Sequence, residues 1–243
     1  MLFIPNRSFY ICLGIMALIL NIETATTNCS VSIAKDGRMI ALRELNSAAY
    51  SHSEDLHYFI KEALEEASIS TSDLGAIAVS KGPGSYTGLR IGVSAAKGLC
   101  FALDIPLIGI STLESMVSQL KIQEGFVIPV LDARRMEVYS AVFTSDYQQI
   151  RETRVEEVHP DLYDNFARQA KVYIIGSGSL KCRELLKHPN FVFNDSIVPS
   201  AKEMCSLSFK EFKLKNFENT AYFEPDYLKD FIVQQGKPKK NSQ

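Results

Sequence analysis

Three short strand-like runs in succession, followed by a helix, a strand, a glycine-rich loop and another helix, leave this 243-residue chain few ways to fold. The runs are "ALILNIE", which is short and mostly apolar, "CSVSIAKDG", which alternates with period two and closes on the turn pair Asp36-Gly37, and "RMIALREL", which returns. Together they predict an antiparallel meander. "SHSEDLHYFIKEALEEAS" then sets Leu56, Phe59, Ile60, Ala63, Leu64 and Ala67 on one helical face, with Ser51 and Glu54 at capping-box spacing. That face is expected to pack on the sheet. "LGAIAVS" reads as a short buried strand, "KGPGSYTGLRIG" follows it, and "TGLRIGVSAAKGLCFALD" reads as a helix that Pro106 ends.

A second round begins near Leu107. "PLIGI" is a strand and "STLESMVSQL" a short helix. "FVIPVLDARRMEVYSAVFT" gives a strand ending at Asp132, a turn and an alternating strand, as the first run ends at Glu23 ahead of the strand from Cys29 to Lys35. "KVYIIGSGSLKCRELL" is again strand, glycine turn and helix, "SAKEMCSLSFKEFKL" is a late helix, and "AYFEPDYLKDF" is an extended aromatic tail. The element order predicts a duplicated α/β chain, two mixed-sheet halves facing each other, with residues 16–106 in the first, 107–230 in the second and a polar tail over 231–243.

The N-terminal "MLFIPNRSFYICLGIMALIL" has the outline of a signal peptide, but Arg7 is a weak basic region and no small-x-small cleavage site follows. The run is better used as the first buried strand, so Met16 is the expected translation start and residues 1–15 an upstream extension. No other stretch is long enough to span a bilayer, so no membrane partner is expected. Cys12, Cys29, Cys100, Cys182 and Cys205 are widely spread, odd in number and form no C-x-x-C pair, which predicts reduced thiols in the cytoplasm. A formal net charge of −2 offers no surplus of cations for a nucleic acid backbone. Lys237, Lys239 and Lys240 sit in the polar tail and read as a solvated terminus.

The glycine loop fits neither familiar phosphate motif. A P-loop needs Lys and a hydroxyl residue after its last glycine, where Gly88 is followed by Leu89 and Arg90. A dinucleotide fingerprint needs G-x-G-x-x-G, and Gly82, Gly84 and Gly88 are spaced G-x-G-x-x-x-G. Two readings remain open. The loop opens a helix whose N-terminal end is positive, with Ser85, Tyr86 and Thr87 as hydroxyl donors and Arg90 as a cation, so it could bind an anion; equally, it is a tight structural turn. Along the helix Gly88, Gly92, Ala95 and Ala96 fall at spacings of three and four, a small-residue stripe continued by Leu99. Such a stripe serves packing inside its own domain or a subunit interface, and the interface reading is preferred.

Catalytic constellations are scarce. His52 and His57 are five residues apart and fall on different sides of their helix, His159 and His188 stand alone beside prolines, and "GSGS" at residues 176–179 has no matched base. Glu23 and Asp132, ending equivalent strands of two facing halves, are candidates to hold a magnesium nucleotide between them; structural carboxylates at strand ends are as common.

"LILNIETATTNCSVSI", "HSE", "KGPGSYTGLRIGVSAAKGL", "IPLIGISTLESM", "VLDARRMEVYSAVF" and "EPDYL" together closely resemble the TsaB family, also called YeaZ, over residues 16–230. The resemblance implies the actin-like, sugar-kinase-like and Hsp70-like ATPase fold, a duplicated ribonuclease-H-like architecture. It implies cooperation with TsaD, the catalytic subunit, and with TsaE in placing a threonylcarbamoyl group on the adenosine beside the anticodon of tRNAs that read codons beginning with A. Against the TsaD pattern, the H-x-x-x-H metal pair falls on Thr112 and Met116, which cannot replace two imidazoles. Ala25, after Glu23-Thr24, places a β-carbon where true ATPases of this fold have a glycine-containing phosphate loop. The expected function is therefore a non-catalytic scaffold of the modification complex, pairing with TsaD or, in its absence, with a second copy of itself. The expected interface residues are Gly88, Gly92, Ala95, Ala96 and Leu99. ATP and magnesium are expected at the complex interface, if anywhere, near Glu23, Thr24, Gly82, Gly84, Ser85, Tyr86, Thr87, Arg90 and Asp132, with no resident cofactor, and tRNA is reached through the complex. The rivals are an ATPase or phosphotransferase of the same fold, a metal-dependent peptidase, and direct tRNA binding by this chain, against which its near-neutral charge weighs.

Overall fold

The structure, a computed structural model, describes residues 17–47 and 52–229. The expectations for Met16 and the fifteen residues before it, the Ser51 half of the capping box and the basic tail lie outside the described residues.

Apolar strands β1 (Leu18–Glu23), β4 (Ala76–Gly82) and β5 (Leu107–Ser111) run parallel to one another, and β2 (Asn28–Lys35) and β3 (Arg38–Asn46) add the antiparallel meander, giving the order β3-β2-β1-β4-β5. The second sheet has β6 (Phe126–Asp132), β7 (Glu137–Thr144), β8 (Gln149–Glu157), β9 (Val172–Ile175) and β10 (Phe191–Asn194), in the order β10-β9-β6-β7-β8. Numbered from its own first strand, that is the same 3-2-1-4-5 arrangement with the same two antiparallel pairings. The helices repeat as well. In the first half, α1 (His52–Glu66) joins β3 to β4 and α2 (Tyr86–Leu103) joins β4 to β5; α3 (Thr112–Val117) follows. In the second, α4 (Asp164–Ala167), α5 (Ser179–Leu185) and α6 (Ala201–Leu214) take the corresponding places. This is a duplicated ribonuclease-H-like fold.

β1 is buried on both faces, its polar residues Asn21 and Glu23 included. Leu20 and Ile22 face a core shared with Leu56, Ile60, Ala63 and Leu64 of α1 and Val93 and Ala96 of α2. Phe59 and Ala67 complete the α1 face expected from its period. On the other side Ile19, Ala76, Ala78, Ile108 and Ile110 pack under Met204 of α6. The alanines keep that face shallow enough for the helix to lie close.

The structure corrects the boundary expected at residue 107. β5 hydrogen-bonds to β4, with Ile77 opposite Leu107, and so completes the first sheet; α6 crosses back from the second half to cover the first. A chain leaving α2 has a free edge beside β4, and the right-handed crossover returns it there before a new sheet begins. Two strands escaped the pattern. β8 reads "QIRETRVEE" and, at the edge of its sheet, has no fully buried residue, and β10 has only four residues. No helix among the described residues is long and apolar enough to cross a membrane.

Candidate functional site

Glu23 ends β1 directly beneath the glycine loop and has no solvent exposure. Its Oε1 accepts the Ala25 N–H at 2.6 Å and the Ser80 hydroxyl at 2.8 Å, while Oε2 has no partner. Burial pushes its pKa up to about 7, with those two hydrogen bonds pulling the other way. A fully enclosed carboxyl with an orphaned oxygen is held most easily as the neutral acid.

The residues after Glu23 fill the space under the loop. The Thr24 hydroxyl donates to the Gly88 carbonyl at 2.8 Å, and the Ser85 N–H donates to the Ala25 carbonyl at 2.7 Å. A β-carbon at Gly88 would overlap the Thr24 carbonyl oxygen, and one at Gly92 would overlap the Thr24 hydroxyl; at Gly84 it would lie 2.5 Å from the Ala25 carbonyl oxygen. These glycines are there because the β1–β2 turn lies against them. Ser85 caps α2, its hydroxyl accepting the Gly88 N–H at 3.2 Å. Of the two readings open for the loop, the geometry favours the packed joint, because Thr24 and Ala25 lie directly against its glycines.

The same packing corrects the interface expected on α2. Gly88, Gly92 and Ala96 face inward and are buried, and Ala95 and Leu99 pack partly on the same core. The opposite side is the open one. Ser94, Gly98 and Ala102 recur at a spacing of four and are exposed, and a β-carbon at Gly98 would meet nothing within 4 Å. Beside them Phe101 is 88 % exposed. Two small-residue stripes run along this helix, and spacing alone could not say which faces the core; the large neighbours Leu89, Val93 and Cys100 carried that signal.

Asp132 closes β6 but does not meet Glu23. Its Oδ1 lies 2.7 Å from Lys181 Nζ and accepts the Arg134 N–H at 2.6 Å, on the surface of the second half. With one carboxyl sealed and neutral-leaning and the other paired to a lysine, these residues do not fit a magnesium nucleotide held between them. Thr112 and Met116 are both fully enclosed, Thr112 at the start of α3 with an unpartnered hydroxyl and Met116 among Val127, Leu131 and Ile175.

A family model described as "TsaD: tRNA N6-adenosine threonylcarbamoyltransferase" matches residues 46–234. Among curated relatives, the tRNA threonylcarbamoyladenosine biosynthesis protein TsaB of Escherichia coli K12 is 30% identical over 230 residues, covering 91% of this chain and 99% of the relative. That of Haemophilus influenzae is 29% identical, over 88% and 94%. The solved structure of YeaZ from Pseudomonas aeruginosa superposes with a TM-score of 0.76 at 25% identity, covering 88% of this chain and all of that one. The chain belongs to the TsaB (YeaZ) family.

One feature of this TsaB-family chain had only an aromatic tail for a sequence signal. Residues 216–229 run as a strap across both halves. The Glu218 N–H bonds to the Leu107 carbonyl at 2.9 Å and the Asp226 N–H to the Lys81 carbonyl at 2.7 Å. Lys97 Nζ holds the Ala221 and Phe223 carbonyls, which sets Tyr222, 84 % exposed, next to the open face of α2. Tyr227 stacks 5.0 Å from Tyr86, and the Arg90 guanidinium lies 4.0 Å over the Tyr86 ring while its Nε donates to the Tyr227 hydroxyl at 3.1 Å. The expected anion-binding cation is thus engaged by two tyrosines. Between strap and loop lies a cavity of about 450 Å³ lined by Gly82, Pro83, Ser111, Thr153 and Asp226. Lys229 reaches the second half, bonding to the Ala133 carbonyl at 2.8 Å and to the Glu137 carboxylate.

Proposed function

We propose that this chain is a non-catalytic subunit in tRNA threonylcarbamoyladenosine biosynthesis, docking on a TsaD-type transferase through the outer face of α2. The names of its relatives supply the pathway. The observation that carries the non-catalytic reading is the sealed Glu23: the turn that would admit phosphate in an ATPase of this fold is packed into the loop by Thr24 and Ala25. The outer face of α2 supports the docking role, because small residues at a spacing of four allow a second helix to approach closely and Phe101 and Tyr222 supply apolar area at its border. On this reading TsaE joins the pair, ATP and magnesium act at a seam between chains, tRNA is reached through the assembly in the cytoplasm, and a second copy of the chain occupies the same face when TsaD is absent.

The test is Gly98→Leu. The position is open, so the helix should form at least as well, since leucine is the better helix former. The variant should melt like the parent, fail to associate with the transferase by light scattering, and lower tRNA modification by a reconstituted mixture at least tenfold. Unaltered association would refute the docking face. A transferase and TsaE mixture fully active without this chain would refute the scaffold role, and ATP turnover by the purified chain that disappears in Asp132→Asn would replace it with an enzyme.

A further inference from the structure

The turn between β6 and β7 presents two exposed cations, Arg134 and Arg135. Arg134 and Arg135 both adopt left-handed backbone, with φ of 67° and 50°, a region that glycine and asparagine normally serve in such turns. Both side chains are exposed, and neither guanidinium makes a hydrogen bond or ion pair among the described residues. The turn beneath them is braced from several directions. Lys181 Nζ bonds to the Asp132 carboxylate at 2.7 Å and to the Glu137 carbonyl at 3.2 Å, and Lys229 bonds to the Ala133 carbonyl and the Glu137 carboxylate. The Asp132 N–H donates to the Ser177 hydroxyl at 3.2 Å and the Val158 N–H to the Met136 carbonyl at 2.7 Å. The two lysines bond to the two carboxylates of the turn, and Arg135 acts on Glu137 only through space, so both guanidiniums remain without a direct partner among the described residues. Glu157 stands opposite Glu137 across β7 and β8 and bonds to neither arginine.

A rigid turn that gives up backbone ease to display two unengaged guanidiniums is suited to an external anion. The planar fork of arginine matches the paired oxygens of phosphate, and consecutive forks match a polymer of phosphates. A protein partner fits less well, because the turn offers little apolar surface beyond Met136 to form the desolvated centre of such an interface. We propose that Arg134 and Arg135 form a contact site for the phosphodiester backbone of RNA. The proposal rests on the tRNA pathway assigned above and adds to it a contact made by this chain itself. It accommodates the net charge of −2, since two phosphate contacts supplement an affinity that the assembly supplies.

The experiment measures binding of an unmodified tRNA transcript by fluorescence anisotropy, with the chain alone at low salt and with its assembly with the transferase between about 50 and 200 mM salt. The variants are Arg134→Gly with Arg135→Gly, which suits the backbone, and Arg134→Lys with Arg135→Lys, which keeps the charge. The glycine pair should weaken RNA binding about tenfold and lower the salt slope by about 1.5 to 2, while the lysine pair keeps most of the slope. Association of the two proteins by light scattering should be the same for all. Equal affinity and slope for the glycine pair and the parent would overturn the proposal, and so would loss of protein association in place of RNA binding, which would make the turn a protein contact. The chain-alone arm reads the arginines even if the parent fails to pair, a result that would count against the docking reading only.

Discussion

Glu23→Gln tests the claim that the carboxyl under the glycine loop is held as a neutral acid. The folded pKa of about 7 stands above the ordinary value of 4.5, so the native state keeps a proton that the unfolded chain has lost between those two pH values. Stability from this group is therefore full below pH 4.5 and is lost as pH rises toward 7, at about 1.4 kcal/mol per pH unit. By pH 8 the ionised form costs the fold about 3 kcal/mol relative to the protonated one. Glutamine keeps an oxygen to accept the Ala25 and Ser80 donors and places an uncharged amide where Oε2 has no partner. The variant should match the parent near pH 5 and exceed it by about 3 kcal/mol at pH 8, read from urea unfolding at half-unit pH steps. Glu114 and Glu203, also raised by burial, bias the parent's curve in the same direction, so the comparison between the two proteins isolates Glu23. A variant whose stability falls with pH as steeply as the parent's would show that Glu23 is ionised and compensated in the fold, and the argument against a nucleotide at this position would lose its main support.

Two further outcomes follow from the joint itself. Gly92→Leu should destabilise by about 3 kcal/mol or more, because its side chain would drive into Thr24, and the loss should appear in a circular dichroism melt without any partner present; a parent-like melt would mean that the helix does not press on the β1–β2 turn. Tyr227→Ala should free the strap from Tyr86 and Arg90, so that limited proteolysis cuts between residues 224 and 229 sooner than in the parent while the melt changes little; cutting at the parent's rate would mean that the stacked tyrosines do not hold it.

Much of this fold was legible because its elements are apolar, periodic and punctuated. Asp36-Gly37 fixes the first hairpin, Pro106 ends α2, and the α1 face follows from a period of 3.6. The recurrence of a strand ending in an acidic residue ahead of an alternating strand exposed the duplication. What stayed hidden depended on pairing across distance. Nothing local told "PLIGI" to join the sheet behind it, and the charged edge strand β8 lacks the alternation that a half-buried strand shows. The site suffered the same limit. Glu23 and Asp132 were matched by position in the chain, but Lys181 reaches Asp132 from α5 and Ser80 reaches Glu23 from β4, and neither partner is signalled at the carboxylate itself.

The glycines explain why a loop of this composition misleads. A backbone with no β-carbon can lie against phosphate or against another backbone, and the sequence of the loop is the same in both cases; the difference lies in the partner. Here the partner is the turn at Thr24-Ala25, which belongs to a different strand and brings its own methyl and hydroxyl into the space. Once that space is filled, α2 is clamped at its N-terminal end by Thr24 and Ser85 and along its length by Val93, Ala96 and Cys100, so its inner face is committed to the fold. The outer face bears no such duty, and the strap leaves it uncovered while adding Tyr222 at its edge. In the docking role proposed above, a helix locked on one side and bare on the other would lose little entropy on association. On the proposed reading, the packing that removes a nucleotide from this cleft is also what makes α2 stiff enough to be recognised.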